Sequence, residues 1–200
     1  PFMALRGLLK GIRPAVVPEL PPLFGGAVGY LGYETVREFE RLPEPKPGLD
    51  GPTSAMLITD EMIIFDNVRH TMMLSVCVRP GEFGTLKEAY DHAVRRLDAI
   101  SERLRRPAAA ASAGTGETPE LVSNCGRETY MEMVKKARRH IYDGDIIQVV
   151  LSQKFTAETD IPPLQLYRAL RLVNPSPYTF FLKIGARILI SSSPETLCKL

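Results

Sequence analysis

Apolar positions along this chain keep two periods, and each change of period marks an element. Residues 24–35 mix four glycines with Phe, Val, Tyr and Leu, a composition suited to a strand whose small residues let another backbone come close. Residues 56–65 and 71–78 are apolar, β-branched runs. Asp66 and Asn67 join them, residue types that tolerate the positive φ of a tight turn, so antiparallel strands are predicted. Between residues 85 and 106 the period lengthens: Leu86, Ala89, Tyr90, Ala93, Val94, Leu97 and Ile100 recur at helical spacing with charges between them. Tyr130, Met133, Val134, Ala137 and Ile141 carry a second helix that starts at or just before Gly126, and Gly144 stands where a left-handed C-terminal cap belongs. Residues 145–155 (DIIQVVLSQKF) are apolar on both faces, the pattern of a central strand. Pro162 and Pro163 open a third helix through Leu164, Tyr167, Leu170 and Val173. Asn174-Pro175 ends it, because a residue before proline disfavours the α region. Residues 178–184 and 187–192 read as a hairpin around Gly185-Ala186. This mixture of helices and antiparallel strands predicts an α+β fold and argues against the strict alternation of a doubly wound parallel sheet.

Composition changes this picture at one place. Residues 107–119 are rich in Ala, Gly, Ser and Thr with little that can pack in a core, which predicts a mobile linker. The chain is thereby divided into 1–106, a linker at 107–120, and 121–200. With 44% hydrophobic residues it can build a core. A net charge of +2, from 25 basic and 23 acidic side chains spread along the sequence, gives no footprint for nucleic acid or an anionic membrane. No apolar run reaches the roughly 18 residues of a bilayer span, and the start lacks the pattern of a cleavable leader. Cys77, Cys125 and Cys198 lie far apart with no CxxC pair, which suits reduced thiols in a cytoplasmic protein better than a disulfide framework or a zinc site. Beginning at Pro1 and ending directly after a strand and turn, the chain is expected to be a piece of a longer polypeptide.

Few residues invite chemistry. Gly25, Gly26, Gly29 and Gly32 fit neither GxGxxG nor GxxxxGK[ST], and no lysine follows them to meet a phosphate. His70, His92 and His140 have no second histidine and carboxylate at ligand spacing, so no metal site is expected from them. Ser191, Ser192 and Ser193 lack the glycine-flanked elbow of a nucleophile. Glu195 follows that strand, a reasonable place for a functional carboxylate. The most unusual segment is Asn174-Pro175-Ser176-Pro177-Tyr178, where two prolines fix φ twice and hold an aromatic ring in a stiff turn. Two readings fit it: a helix stop packed on the core, or a wall for a small aromatic ligand that loses little entropy on binding.

Five segments, in one order across nearly the whole chain, carry a resemblance. FGGAVGYLGYETVREFERLP (24–43) is similar to the glycine-tyrosine segment of anthranilate synthase component I, a chorismate-utilising enzyme, and DEMIIFDNVRHTMML (60–74) resembles the strand pair that follows it. GDIIQVVLSQKF (144–155), LYRALRLVNPSPYTFFL (166–182) and SSSPETL (191–197) resemble consecutive motifs at the start of that family's chorismate-binding domain. QVVLSQ and NPSPY resemble anthranilate synthase more than aminodeoxychorismate synthase, whose segments more often read QVNLTQ and NPAPF.

The resemblance implies antiparallel β-sandwich layers flanked by helices, with 1–106 as the later part of an N-terminal regulatory region and 121–200 as the start of a chorismate-binding domain. For the intact protein it implies a lyase that turns chorismate and ammonia into anthranilate and pyruvate, with Mg²⁺ as cofactor and a glutamine amidotransferase subunit supplying ammonia. The catalytic and Mg²⁺-binding residues are expected beyond Leu200, and none is assigned within this sequence. Feedback inhibition by L-tryptophan carries over residue by residue: the family's Pro-Tyr-Met segment falls on Pro177, Tyr178 and Thr179. Thr179 departs from methionine, Ser191 stands where glycine is commoner, and no upstream Leu-Leu-Glu-Ser segment is present. Aminodeoxychorismate synthase is the near alternative. A non-catalytic amino-acid-binding or subunit-docking module is the alternative of another class.

Overall fold

The computed structural model describes residues 1–15, 17–43, 51–108 and 118–193. Most of the sequence-predicted 107–120 linker, together with Glu195 and Cys198, lies outside the described residues. The chain divides into two compact units, 1–110 with 182–187 and 111–181 with 188–200. Among the described residues the strands pair as four two-stranded sheets, the three whose register is defined running antiparallel, and helices accompany them, so the expected α+β class is observed.

In the first unit, helix α1 (Phe2–Leu9) precedes strand β1 (Gly26–Leu31), which pairs antiparallel with β2 (Ser54–Thr59) in a register that sets Gly29 opposite Met56. A Cβ on Gly29 would stand 2.0 Å from the Ala55 carbonyl oxygen, so only glycine lets the two backbones close here. The glycines of this segment therefore serve a ladder and not a phosphate loop. Strand β3 (Glu61–Asp66) pairs with β4 (Thr71–Val76) as expected. Two details differ from the sequence reading. The single run at 56–65 breaks at Asp60, because its halves have different partners: β2 follows β1 to Thr59, and β3 follows β4 from Glu61. The positive φ of the connecting turn falls on His70 (53°), while Asp66 instead accepts the N–H groups of Val68 and Arg69 at 3.0 and 2.9 Å. Histidine is among the non-glycine residues that tolerate this region, and the Asp66 carboxylate fixes the loop before it.

Helix α2 (Leu86–Arg105) starts in a capping box: Thr85 Oγ1 accepts the Glu88 N–H at 3.2 Å, and Glu88 Oε2 accepts the Thr85 N–H at 3.0 Å. It packs against β4, and among the described residues Ala89 and Ile100 are the buried apolar side chains. Leu86 and Tyr90, which share the apolar stripe, stay exposed. Replacing Thr85 by Ala removes an acceptor for an orphan N–H and should cost about 1 kcal/mol. Urea denaturation of the 200-residue chain, followed by far-ultraviolet circular dichroism, should show an earlier first transition. An unchanged midpoint would mean that α2 does not depend on its cap.

In the second unit, β5 (Val122–Ser123) pairs with β6 (Phe155–Thr156), and α3 (Arg127–Tyr142) lies between them in sequence. Gly144, at φ 81°, ends α3 as its sequence position predicts. The Gly144 N–H donates to Ile141 O at 3.2 Å and the Asp145 N–H to His140 O at 2.9 Å, the paired bonds of a Schellman motif. The central strand expected over 145–155 is not formed; only Phe155 and Thr156 pair, and Ile147 is 97% exposed. A strand needs a neighbour for its N–H and C=O groups, and among the described residues the only partner this segment meets is the two-residue β5. Helix α4 (Pro163–Val173) begins with proline at its first turn and stops at Asn174. Strands β7 (Tyr178–Ile184) and β8 (Arg187–Ser193) form the expected hairpin, with Gly185 at φ 58° in its turn.

Candidate functional site

The sequence left the stiff turn at 174–179 open as a helix stop or a ligand wall, and the structure shows how it is held. Pro175 and Pro177 lack N–H groups, so the turn cannot close by ordinary backbone bonding. Hydroxyls take over that task. Ser192 Oγ donates to the Asn174 carbonyl at 2.6 Å, and Ser176 Oγ donates to the Ser193 carbonyl. The same Ser176 oxygen accepts the Tyr178 N–H at 3.2 Å, and Thr179 Oγ1 donates to the Ser176 carbonyl at 2.8 Å. Pro177, Tyr178 and Thr179 thus stand together at the start of β7, with the Tyr178 side chain 47% exposed and Thr179 half-buried. Behind the turn, the Tyr167 ring of α4 meets Phe181 of β7 edge-on at 5.8 Å, and the Arg171 guanidinium lies 5.7 Å from the Tyr167 centroid. Of the serines in the run 191–193, two join this arrangement. Sequence reasoning weighed those serines only as nucleophiles, and passed over Ser176; the available signal was a hydroxyl residue set between two prolines, which leave carbonyls in need of a donor.

A second polar cluster ties the QVVLSQ segment to residues 123–125. Gln153 of QVVLSQ donates from Nε2 to Ser123 Oγ at 2.7 Å and to the Cys125 carbonyl at 3.5 Å, while Ser123 Oγ itself donates to Cys125 O at 2.5 Å. These residues line an open cavity of about 660 Å³ with Tyr130, Met131 and Phe155. The remaining candidates occupy ordinary structural positions. His92 meets Phe83 in a tilted ring contact with centroids 5.2 Å apart, and His140 Nδ1 lies 2.8 Å from Asp145 Oδ2 at the end of α3. Cys77 and Cys125 are free thiols. Among the described residues no three His, Cys, Asp or Glu side chains converge in a way that could hold a metal ion.

In the first unit a cavity of about 200 Å³ is lined by paired charges. Arg96 grips Glu61 with Nε–Oε1 at 2.5 Å and Nη2–Oε2 at 3.1 Å, and Arg79 lies 3.3 Å from Asp60 and 3.4 Å from Glu82. The Arg96 hydrogen bonds hold the Glu61 carboxyl below its ordinary 4.5, against an opposing contribution from burial. A depressed carboxyl stabilises the fold above its unfolded pKa, and that contribution is lost as pH falls through the lower folded value. The Arg96 and Glu61 side chains are 48% and 35% exposed, so the effect is small. On titration from about pH 6 to about pH 3, the thermal midpoint of the native chain should converge on that of Glu61→Gln. A constant gap across this range would show that the pair does not contribute through charge.

A sequence model of the chorismate binding enzyme family matches residues 6–200. The chain belongs to that family. Within it, the chain is similar to the protein named anthranilate synthase component 1 in Streptomyces coelicolor, at 40% identity over 214 residues, covering 100% of this chain and 40% of that protein. The protein of the same name from Acetivibrio thermocellus is 36% identical, over 100% of this chain and 42% of its own length. The crystal structure of anthranilate synthase component I from Streptococcus pneumoniae TIGR4 superposes with a TM-score of 0.75 at 28% identity, covering 96% of this chain and 43% of that one. The chain spans about two-fifths of the length of these relatives. The resemblance carried by the five motifs is therefore supported along the whole sequence.

Proposed function

We propose that the polypeptide carrying this sequence is the large subunit of anthranilate synthase. The observation that supports this reading is the match of the whole chain, at 40% identity, to a protein named anthranilate synthase component 1. In the proposed reaction, chorismate gains an amino group from ammonia, loses its 4-hydroxyl as water and then eliminates pyruvate to leave anthranilate. Departure of the hydroxyl needs a general acid, and the final elimination needs a base. Mg²⁺ would hold the substrate carboxylate, with its ligands proposed beyond Leu200, and no step here is assigned to it. A glutamine amidotransferase subunit supplies the ammonia. No helix among the described residues is long and apolar enough to cross a membrane; we place the enzyme in the cytoplasm.

In this reading residues 177–179 regulate. Pro177 and Tyr178 provide apolar walls for L-tryptophan, and residue 179 provides backbone polar groups to its ammonium or carboxylate. The experiment is product analysis: a full-length polypeptide containing this sequence, given chorismate, Mg²⁺ and ammonium, should accumulate anthranilate. Accumulation of aminodeoxychorismate would transfer it to the neighbouring enzyme. Conversion of no chorismate, with tryptophan still bound, would support a non-catalytic amino-acid-binding module.

A further inference from the structure

Two hydroxyls tie the 174–179 turn to consecutive residues of another element. Ser192 Oγ donates to the Asn174 carbonyl at 2.6 Å, on the near side of Pro175, and Ser176 Oγ donates to the Ser193 carbonyl from between the two prolines. One bond runs from β8 to the turn and the other from the turn to β8, so the contact is reciprocal. The prolines of the turn have no N–H of their own to offer, so removing either hydroxyl takes away one of the two bonds between the turn and β8. Ser176 also fixes the Tyr178 N–H at 3.2 Å, and its own carbonyl is taken by Thr179 at 2.8 Å. The backbone amide of the tyrosine that forms the wall is thus held by the same hydroxyl that grips β8.

We infer that Ser176 and Ser192 are positioning residues of the regulatory turn: they latch it to the end of β8, so that the placement of Tyr178 and of Ser192–Ser193 is a single equilibrium. This inference rests on the reading of 177–179 as the tryptophan wall. A ligand that favours one placement of Tyr178 then favours one placement of the β8 end, which is the differential contact that coupling between sites requires. The prolines supply stiffness and the serines supply the attachment.

The test has two parts. In the 200-residue chain, hydrogen exchange should show faster exchange of the Tyr178 amide in Ser176→Ala, while amides of α3 keep their rates. In the full-length polypeptide, calorimetric titration with L-tryptophan should show each of Ser176→Ala and Ser192→Ala weakening binding by about fivefold, the scale of one lost hydrogen bond. Ser192→Thr, which keeps the hydroxyl, should bind within about twofold of the parent if the bond and not mere bulk is what counts. If Tyr178→Ala loses tryptophan affinity while both serine variants, with parent-like melting, bind normally, the latch is refuted and the wall stands. If Tyr178→Ala also binds normally, the wall itself is refuted and the latch with it.

Discussion

The 200-residue chain alone is expected to form no anthranilate from chorismate, with either glutamine or ammonium as nitrogen source. Its motifs belong to a chorismate binding enzyme, yet the described residues bring together no set of carboxylates able to place a divalent cation. A site for this reaction must also exclude water around the departing hydroxyl, since electrostatic stabilisation is strong only where solvent is displaced. Here the segment that carries QVVLSQ is open: Ile147 and Val150 are 97% and 82% exposed, and the cavity beside Gln153 faces solvent. The expected result is loss of the whole rate enhancement, a far larger effect than any single substitution in this span could produce. Anthranilate fluorescence read with chorismate, Mg²⁺ and excess ammonium is the measurement. Product above a protein-free control would mean that the catalytic groups lie within these residues and that the division of labour proposed for this span is mistaken.

How much of this was legible in the sequence depended on whether the determining interactions were local. Helix α2 was readable because its apolar stripe repeats within one element, although its local cap of Thr85 and Glu88, three positions apart, went unread. Gly144 was readable for the same reason, as the Schellman bonds close within six residues. The 56–65 run was misread as one strand because its composition is uniform across Asp60, and only the identity of the distant partners, β1 for one half and β4 for the other, separates the halves. Residues 145–155 show the opposite failure. Apolar residues on both faces report that a segment is suited to burial, but pattern alone carries no information about what covers it. Helix α1 was missed because it is short and interrupted by Gly7, and its Phe2 ring is met by Phe39 at 4.9 Å, a contact no periodicity reveals. At the candidate site, the prolines and the tyrosine were conspicuous, whereas the serine latch spans 17 to 18 positions and could be seen only once β8 had folded back.

In the full-length polypeptide, Tyr178→Ala and Pro177→Ala should each weaken tryptophan inhibition by about 1 to 2 kcal/mol, the scale of an aromatic contact with its buried area. A change of about 1.4 kcal/mol is tenfold in affinity. The two substitutions act differently. Tyr178 is 47% exposed with its amide held by Ser176, so truncation removes ring area while the backbone of the turn stays latched. Pro177→Ala leaves the ring but releases a fixed φ, so the wall must be ordered when the ligand arrives and affinity falls through entropy. Calorimetry can separate them: the tyrosine variant should lose binding enthalpy, and the proline variant should bind with a less favourable entropy. Turnover of chorismate without tryptophan should change far less in both if, as proposed, this turn serves an effector site distinct from the substrate site and coupled to it through a conformational equilibrium. Inhibition curves on the parent and both variants complete the measurement. Unchanged tryptophan affinity in both variants would leave residues 174–179 as a helix stop, held to β8 for the stability of the hairpin alone.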